Sequence, residues 1–256
     1  MFCSAKRLFP PTTSVVLFLT AWQLVSTAGF VHASLFPPPS AVARAFKEMA
    51  LSGELVRDLQ ASIWRAVVGF ALGSLCGISA GLTTGRLTIV NGYLAPLLQM
   101  FRPLPPVAII PLVIVWFGIG ETSKLFSIAF AVFFPVWMNS HLGARAIPST
   151  FLWSARSLGV GGISAFWRVI FPASLPFIAA GLRTGIALAF IMVFVSELAG
   201  ASAGIGYQIS VSHLAYRVDR MIAALALLGL FGSLADVILT RALRLLFPWL
   251  RFLAQK

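Results

Sequence analysis

Long apolar stretches alternate with short polar segments along most of this chain. Six such stretches contain few or no charged residues: 12–31, 66–84, 103–120, 125–144, about 174–200 and 221–240. A hydrocarbon core about 30 Å thick is spanned by about 20 apolar residues in an α-helix. The pattern therefore predicts an all-α polytopic membrane protein with about six transmembrane helices.

The first apolar stretch is open to a second interpretation. Lys6 and Arg7 precede it, and Val31-His32-Ala33 weakly resembles a signal-peptidase site. The stretch is longer than the apolar region of a typical signal peptide, which favours a retained helix. A Pro-rich turn at 36–40 follows, and then an external amphipathic segment from 41 to about 65.

The composition excludes several classes of protein. Hydrophobic residues make up 59% of the 256 residues and charged residues 10%, whereas soluble domains contain about a quarter charged residues. This low charged fraction excludes a soluble enzyme and a disordered protein. A nucleic-acid-binding module is also excluded despite the net charge of +12, because Lys and Arg occur singly between apolar stretches and not as a basic patch. No Gly-Lys dipeptide occurs, so the chain has no Walker A loop for a nucleotide.

The distribution of Lys and Arg predicts the orientation in the membrane. With six spans both termini lie on one side, and the cationic residues on that side have no acidic neighbours. They are Lys6, Arg7, Arg86, Arg102, Arg145, Arg156, Arg168, Arg241, Arg244, Arg251 and Lys256. Cytoplasmic loops carry such an excess, so we expect both termini and the segment 147–171 to be cytoplasmic.

The predicted cytoplasmic segment 147–171 is long for a chain of 256 residues. Its pattern predicts a short amphipathic helix from Ser149, a turn at Gly159 and a second short helix that stops before Pro172. A helix of this kind docks in a groove on a soluble partner. The alternative is a surface helix that rests on lipid headgroups.

The segment resembles the EAA loop of binding-protein-dependent ABC importer permeases. In that loop a Glu-Ala-Ala triplet lies shortly before a Gly, and an apolar residue and a Leu-Pro pair follow at a fixed distance. The matching positions are Ala155, Gly159, Val169 and Pro172. Trp153 occupies the usual Glu position, and Phe171 replaces Leu.

The resemblance extends over roughly residues 36–245 and favours the nitrate/sulfonate/taurine branch of that family. Five segments carry it in order: Arg102-Pro103-Leu104-Pro105-Pro106, Trp116-Phe117-Gly118-Ile119-Gly120, Ala155-Arg156-Ser157-Leu158-Gly159, Ala180-Gly181-Leu182-Arg183 and Ala203-Gly204-Ile205-Gly206. Each motif alone is weakly specific, whereas five in this order and topology are strongly indicative.

The resemblance implies a MetI-like permease of the inner membrane and a set of partners. These are a second permease subunit in a homodimer or heterodimer, two cytoplasmic ATPase subunits that bind ATP and Mg²⁺, and an external solute-binding protein. The resemblance also implies that the loop couples ATP hydrolysis to opening of the channel. The expected coupling residues are Trp153, Ala155, Arg156, Gly159, Val169 and Pro172.

The same resemblance divides the chain and suggests a cargo. Residues 1–60 would form the N-terminal helix with its external segment, 61–245 the permease core with the loop at about 147–172, and 246–256 a cytoplasmic tail. The cargo would be a small anion such as nitrate, sulfonate or taurine, although related branches carry vitamin precursors or other small organic molecules. A secondary transporter lacks support because no convincing internal repeat occurs, and a membrane enzyme lacks it because the three His and few acids are dispersed.

Charged residues and prolines within the spans are candidates for the pathway or gate. Charges at membrane depth are costly and suggest function, which makes Arg183 and Glu197 tentative gate residues, with helix pairing as the alternative. Broken helices are tolerated where they face protein or water, so Pro105 and Pro106 are expected to border the pathway or to kink a packing helix. Asp236 is expected to pair with a cation on a neighbouring helix.

Glycines recur at every fourth position of the second span. They are Gly69, Gly73, Gly77, Gly81 and Gly85. Small-residue ridges let transmembrane helices approach closely, so we interpret this ridge as a helix-packing surface and not as a ligand site. His32, His141 and His213 lack metal-ligand spacing, and no metal site is predicted.

Overall fold

A computed structural model describes residues 11–29, 32 and 34–249, and all regular structure in these ranges is helical. The α-helices are α1 (Pro11–Thr27), α2 (Pro39–Leu51), α3 (Glu54–Arg86), α4 (Thr88–Phe101), α5 (Ile110–Phe117), α6 (Glu121–Arg145), α7 (Ser149–Ser157), α8 (Gly162–Ala165), α9 (Phe171–Leu198), α10 (Ile205–Leu214) and α11 (Val218–Leu246). A 3₁₀ turn, Pro106–Ile109, precedes α5, and a π-helical turn, Phe166–Ile170, joins α8 to α9.

Four helical segments are long and apolar enough to cross a membrane. They are α3, α6, α11 and the continuous run Gly162–Leu198 that includes α9. The all-α polytopic fold predicted from the sequence is thereby confirmed. With 17 residues, α1 is about 26 Å long, shorter than a hydrocarbon core of about 30 Å. A sixth crossing therefore stays a prediction, and Val31 and the cationic N-terminus lie outside the described residues.

The glycine ridge of α3 lies against α6, and the two helices run parallel. Gly69 faces Ile128 near the start of the contact, and Gly85 faces Ala144 near its end, so the contacts advance in the same direction on both helices. An added Cβ on any of the five ridge glycines would lie closer than 3.0 Å to an atom of α6. Only residues without a side chain permit this approach.

This parallel arrangement requires the intervening segment to return across the membrane. Residues 87–120 connect the end of α3 to the start of α6, and these two points lie at opposite ends of the pair. The segment does so as α4 followed by Pro106–Phe117, two helical pieces bent by 88°. Together they can form a fifth crossing.

The expected span 103–120 is therefore wrong in its bounds. The crossing begins in α4, which the sequence analysis missed, and its break is confined to residues 102–105, between α4 and the 3₁₀ turn. Pro111 causes no break because it lies in the first turn of α5, where a missing N–H is tolerated.

The helix α9 packs antiparallel on α6 and completes the core. Gly143 of α6 contacts Phe177 of α9, and further along α9 Gly185 contacts Val132 of α6. The buried side chains at the centre come from four helices: Ala66, Ile110, Ile128, Ala131, Val132, Val136, Ala189, Met192 and Val193. A second apolar cluster joins α2, α3, α10 and α11 around Met49 and Ile205.

Two polar segments contain helices that the apolar pattern does not delimit. The amphipathic segment 41–65 is divided, since its first part forms α2 and the rest is the first three turns of α3; the boundary expected at residue 60 thus falls inside a helix. The segment between the fifth and sixth apolar stretches contains α10, whose apolar side joins the second cluster. These short helices were missed because their burial depends on distant helices.

We expect replacement of Gly77 by Ala to destabilise the protein. The new Cβ would lie 2.9 Å from the Phe133 carbonyl oxygen and 2.9 Å from the Val136 Cβ, and backbone cannot yield as a flexible side chain can. Such overpacking costs about 1–3 kcal/mol. The apparent melting temperature in detergent measures the loss.

The matched control is Gly92→Ala in α4, where nothing lies within 4 Å of the added Cβ. An equal melting temperature for both variants would contradict the close packing of α3 on α6.

Candidate functional site

The first site is the surface loop between α6 and α9. Its helix α7 buries Ala155, whereas Trp153 is 63% exposed and Arg156 is also exposed. Gly159 ends the helix with φ of +75°, a conformation that favours glycine. The predicted helix from Ser149 and the turn at Gly159 are both present, and aromatic and cationic groups project from the surface.

The second half of the loop differs from expectation. Instead of stopping before Pro172, the helix continues through the π-helical turn into α9. Proline is compatible with a first helical turn, and Pro172 lies at the beginning of α9. Val169 and Pro172 are half-buried, and α7 packs against the π-helical turn. The loop is therefore continuous with a membrane-spanning helix.

The second site is a network of charged residues at the opposite end of the bundle, in which Arg65 and Glu197 are buried and Glu121 is exposed. Arg65 of α3 makes two hydrogen bonds to Glu121 of α6, with Nε–Oε2 at 2.7 Å and Nη2–Oε1 at 2.6 Å. Its Nη1 lies 2.7 Å from Glu197 Oε1 of α9 and 2.7 Å from the carbonyl oxygen of Ala203. Lys124 contacts Glu121 at 3.2 Å. One guanidinium therefore joins three helices and a loop.

The same network binds the N-terminal end of α10. Backbone N–H groups of three successive residues donate to side chains from other helices: Gly204 to Asp58, Ile205 to Ser62, and Gly206 to Glu197, each at 2.8 Å. The first N–H groups of a helix lack partners within the helix. Here α3 and α9 supply those partners from a distance.

The network explains both glycines of the Ala203-Gly204-Ile205-Gly206 motif. Gly204 has φ of +131°, and an added Cβ would overlap the carboxylate of Glu197. At Gly206 the Cβ would lie 2.6 Å from the Phe194 carbonyl oxygen. Glycine is needed at both positions because the Glu197 carboxylate and the α9 backbone occupy the space of a side chain.

The sequence pattern identifies Glu197 as a tentative gate residue, with helix pairing as the alternative, but does not identify its surroundings. The residue is 1% exposed and accepts hydrogen bonds from Ser62, Arg65 and Gly206. One available signal was the spacing of Asp58, Ser62 and Arg65, which share a face of a helix at i, i+4 and i+7. Because all three were assigned to an external amphipathic segment, this signal was missed.

The remaining candidates lie apart from this network. Arg183 of α9 pairs with Asp236 of α11 through two hydrogen bonds, at 3.0 and 3.1 Å. Pro105 and Pro106 lie at the bend before the 3₁₀ turn, Pro105 exposed and Pro106 half-buried. The structure therefore joins Arg183 to Asp236 and leaves both prolines separate from the charged groups.

A bundle of apolar helices long enough to cross a membrane, with an exposed loop at one end and a network of charged residues at the other, has the architecture of a polytopic membrane protein. Residues 71–252 match the family model described as binding-protein-dependent transport system inner membrane component. The chain belongs to this family. Its members are inner-membrane ABC importer permeases that work with separate ATPases and binding proteins, so this chain is a transport subunit and not an enzyme.

Individual relatives agree with this assignment. The chain is 36% identical over 233 residues to a Bacillus subtilis protein named as an aliphatic sulfonates transport permease, SsuC, covering 91% of this chain and 84% of that one. It is 32% identical to the taurine transport system permease protein TauC of Escherichia coli, covering 92% and 88%. A chain of the MetNI methionine ABC transporter has a similar fold, with a TM-score of 0.63, 19% identity and coverage of 74% and 94%. The predicted MetI-like fold and the predicted branch are both confirmed.

We expect replacement of Glu197 by Gln to destabilise the protein by about 3 kcal/mol. Removal of one partner of a buried ion pair has a cost of this size. The amide offers one acceptor oxygen instead of two and leaves the Arg65 charge with less compensation. Thermal unfolding in detergent measures the loss.

The control is Glu54→Gln, at the exposed beginning of α3, the helix that carries Arg65. Unchanged stability of the Glu197 variant would show that the network does not hold α9 and α10 together.

Proposed function

We propose that this chain is the permease of an ATP-driven importer for small organic anions, and that two ATPase subunits dock on the loop at about 147–172. The observation that supports docking is the exposed aromatic and cationic surface of that loop. Phe151, Trp153 and Trp167 are each more than half exposed, and Arg156 and Arg168 accompany them. A surface of this composition is typical of protein interfaces, where aromatic residues and Arg are enriched.

The continuous helical run from the loop supports a mechanical role. Gly162–Leu198 contains 37 residues and is about 56 Å long. One end carries the exposed Ile163 and Trp167, and the other carries Glu197 within the buried network. A rigid helix fixed at one end transmits a displacement at its other end, so closure of the ATPases would tilt α9 and open or close a cavity beside it.

The assembly and orientation form part of the same proposal. Two copies of this chain form a homodimer around the pathway, with both termini in the cytoplasm and the network of Arg65 on the external side. The support is the excess of Lys and Arg at the loop end of the bundle. An external solute-binding protein delivers the anion, and the partner ATPases bind ATP and Mg²⁺.

The proposed cargo is an aliphatic sulfonate, with taurine as one member of the class. The names of the two relatives support this choice, and both relatives are matched over more than four fifths of their length. A shared fold alone does not fix a substrate, so the chemistry of the anion is the point to measure.

We expect Trp153→Ala to weaken association with the partner ATPase by about 30-fold, because a buried aromatic anchor contributes about 2 kcal/mol or more to binding. The measurement is titration of the purified ATPase against the permease in lipid nanodiscs.

The matched control is Trp64→Ala in α3. Trp64 is 62% exposed, almost as much as Trp153, but lies at the other end of the bundle. If both variants retained the ATPase equally, the loop would not be its docking site.

The cargo is tested through the solute-binding protein that stimulates ATP hydrolysis by the assembled complex. We expect alkyl sulfonates and taurine to raise the melting temperature of the solute-binding protein, because a ligand that binds the folded state stabilises it. The same ligands should stimulate ATP hydrolysis by the complex. Stimulation by an uncharged vitamin precursor and not by any sulfonate would overturn the proposed cargo.

A further inference from the structure

The ion pair between Arg183 and Asp236 lies within the apolar layer of the bundle. Arg183 is 15 residues before the end of α9 and Asp236 is 18 residues after the start of α11, distances of about 22 and 27 Å from the network end. Asp236 precedes Arg241, the next cation on α11, by five residues, or about 8 Å. Both charges therefore lie in the loop-side half of the apolar layer, about one and a half helical turns from Arg241.

The chain covers this ion pair only partly. The Arg183 side chain is 42% exposed and that of Asp236 is 35% exposed. Ionised groups that face lipid at this depth are costly, and such groups normally face a bundle interior or a water-filled cavity. The open side of the pair therefore faces water or protein in the assembled transporter.

The helix α11 has two different faces at this level. Ser233, Asp236 and Thr240 follow the spacing i, i+3 and i+7 and so share one face. The Ser233 hydroxyl is exposed and donates to the Gly229 carbonyl oxygen, whereas the Thr240 hydroxyl is buried and has no hydrogen-bond partner among the described residues. Leu234 and Ile238 lie on the other side, where they line an apolar groove of about 460 Å³ between α11, α3 and α9. The polar face and the apolar groove lie on different sides of α11.

The open face of α9 continues the polar surface with small side chains. Thr184 and Ala187 are exposed next to Arg183, and Ile191 follows one turn later. Small and hydroxylated residues leave room for a solute beside the guanidinium. The polar face, defined as Arg183, Thr184, Ser233 and Asp236, thus combines one cation, one carboxylate and two hydroxyl groups.

The geometry of the ion pair suits transient binding of an anion. Asp236 accepts from Nε and Nη2 of Arg183, whereas a guanidinium has five N–H donors, so three donors have no partner among the described residues. Asp236 fixes the plane of the guanidinium, and the remaining edge can bind a second oxyanion in bidentate fashion. Because Asp236 already compensates the charge, such an anion would be held weakly and released readily.

We propose that the polar face lines the route of the transported anion and that Arg183 donates hydrogen bonds to its sulfonate group during passage. This inference rests on the proposed function, because it takes the cargo to be an organic anion. It assigns Arg183 as a substrate-contacting residue, Asp236 as the residue that orients it, and Thr184 and Ser233 as the hydroxyl lining.

Thiol labelling tests the route directly. The complete transporter is assembled in nanodiscs, which expose both membrane faces, with Cys3 and Cys76 replaced by Ser. A cysteine is then introduced by Ser233→Cys on the polar face or by Ile238→Cys in the apolar groove. The probes are sulfonatoethyl methanethiosulfonate, itself an alkyl sulfonate, and its trimethylammonium counterpart.

We expect the ratio of the anionic to the cationic labelling rate to be roughly tenfold higher in the Ser233→Cys protein than in the same protein with Arg183→Gln, because loss of the arginine leaves the Asp236 charge uncompensated near the thiol. Labelling itself should continue in both. The Ile238→Cys protein should react slowly with both probes. No labelling at position 233, or a ratio that is unchanged by removal of Arg183, would overturn the inference.

A transport assay separates a route from a structural ion pair. Replacing a buried pair by apolar residues of similar volume is often neutral for stability, so Arg183→Met combined with Asp236→Leu should leave folding and ATPase association intact. If Arg183 contacts the cargo, sulfonate uptake in proteoliposomes falls about tenfold or more; uptake at the unmodified rate would show that the pair only packs α9 against α11.

The two proposals fail in different ways. If the ATPase binds and hydrolyses ATP but the polar face is closed to the anionic probe, the route is wrong and the importer function stands. If the ATPase does not associate with the loop, the proposed coupling is wrong, whatever the labelling pattern.

Discussion

The close parallel contact between α3 and α6 is the constraint on which the rest of the structure depends. Five glycines spaced by four residues bring the two helices together without intervening side chains. Because the helices run parallel, residues 87–120 must cross between their opposite ends. The same contact brings Arg65 near the start of α3 to Glu121 at the start of α6, and it provides the surface on which α9 packs.

The two ends of the bundle have different physical character. At one end Arg65, Glu197 and the first N–H groups of α10 form a buried hydrogen-bond network. Separation of α3, α9 and α10 would break this network and would therefore have a high free-energy cost. At the other end α7 has few buried contacts and exposes aromatic groups. The continuous run Gly162–Leu198 joins these ends. This arrangement suits a lever whose fixed point is the network and whose free end receives the force.

The charged side chains of α9 and α11 are compensated in two different ways. Glu197 is buried and accepts hydrogen bonds from two other helices, α3 and α10. Arg183 and Asp236 form a single bidentate pair that leaves one edge open. A group sealed on all sides serves to hold helices together, whereas a paired group with free donors retains the capacity to bind. This difference separates the structural charges of the bundle from the candidate for substrate contact.

Several features follow from the chain alone. Hydrophobic length fixes a polytopic helical fold, the four-residue spacing of Gly69 to Gly85 marks a packing surface, and the pattern around Ser149 and Gly159 indicates a surface helix and turn. These depend on local periodicity, which a sequence displays directly. The path of residues 87–120, the helix α10 and the neighbours of Glu197 depend instead on which helices meet and in which direction. Arg65 and Glu197 are separated by 132 residues, and no periodicity connects them; only the packing of α3 and α9 on α6 brings them together.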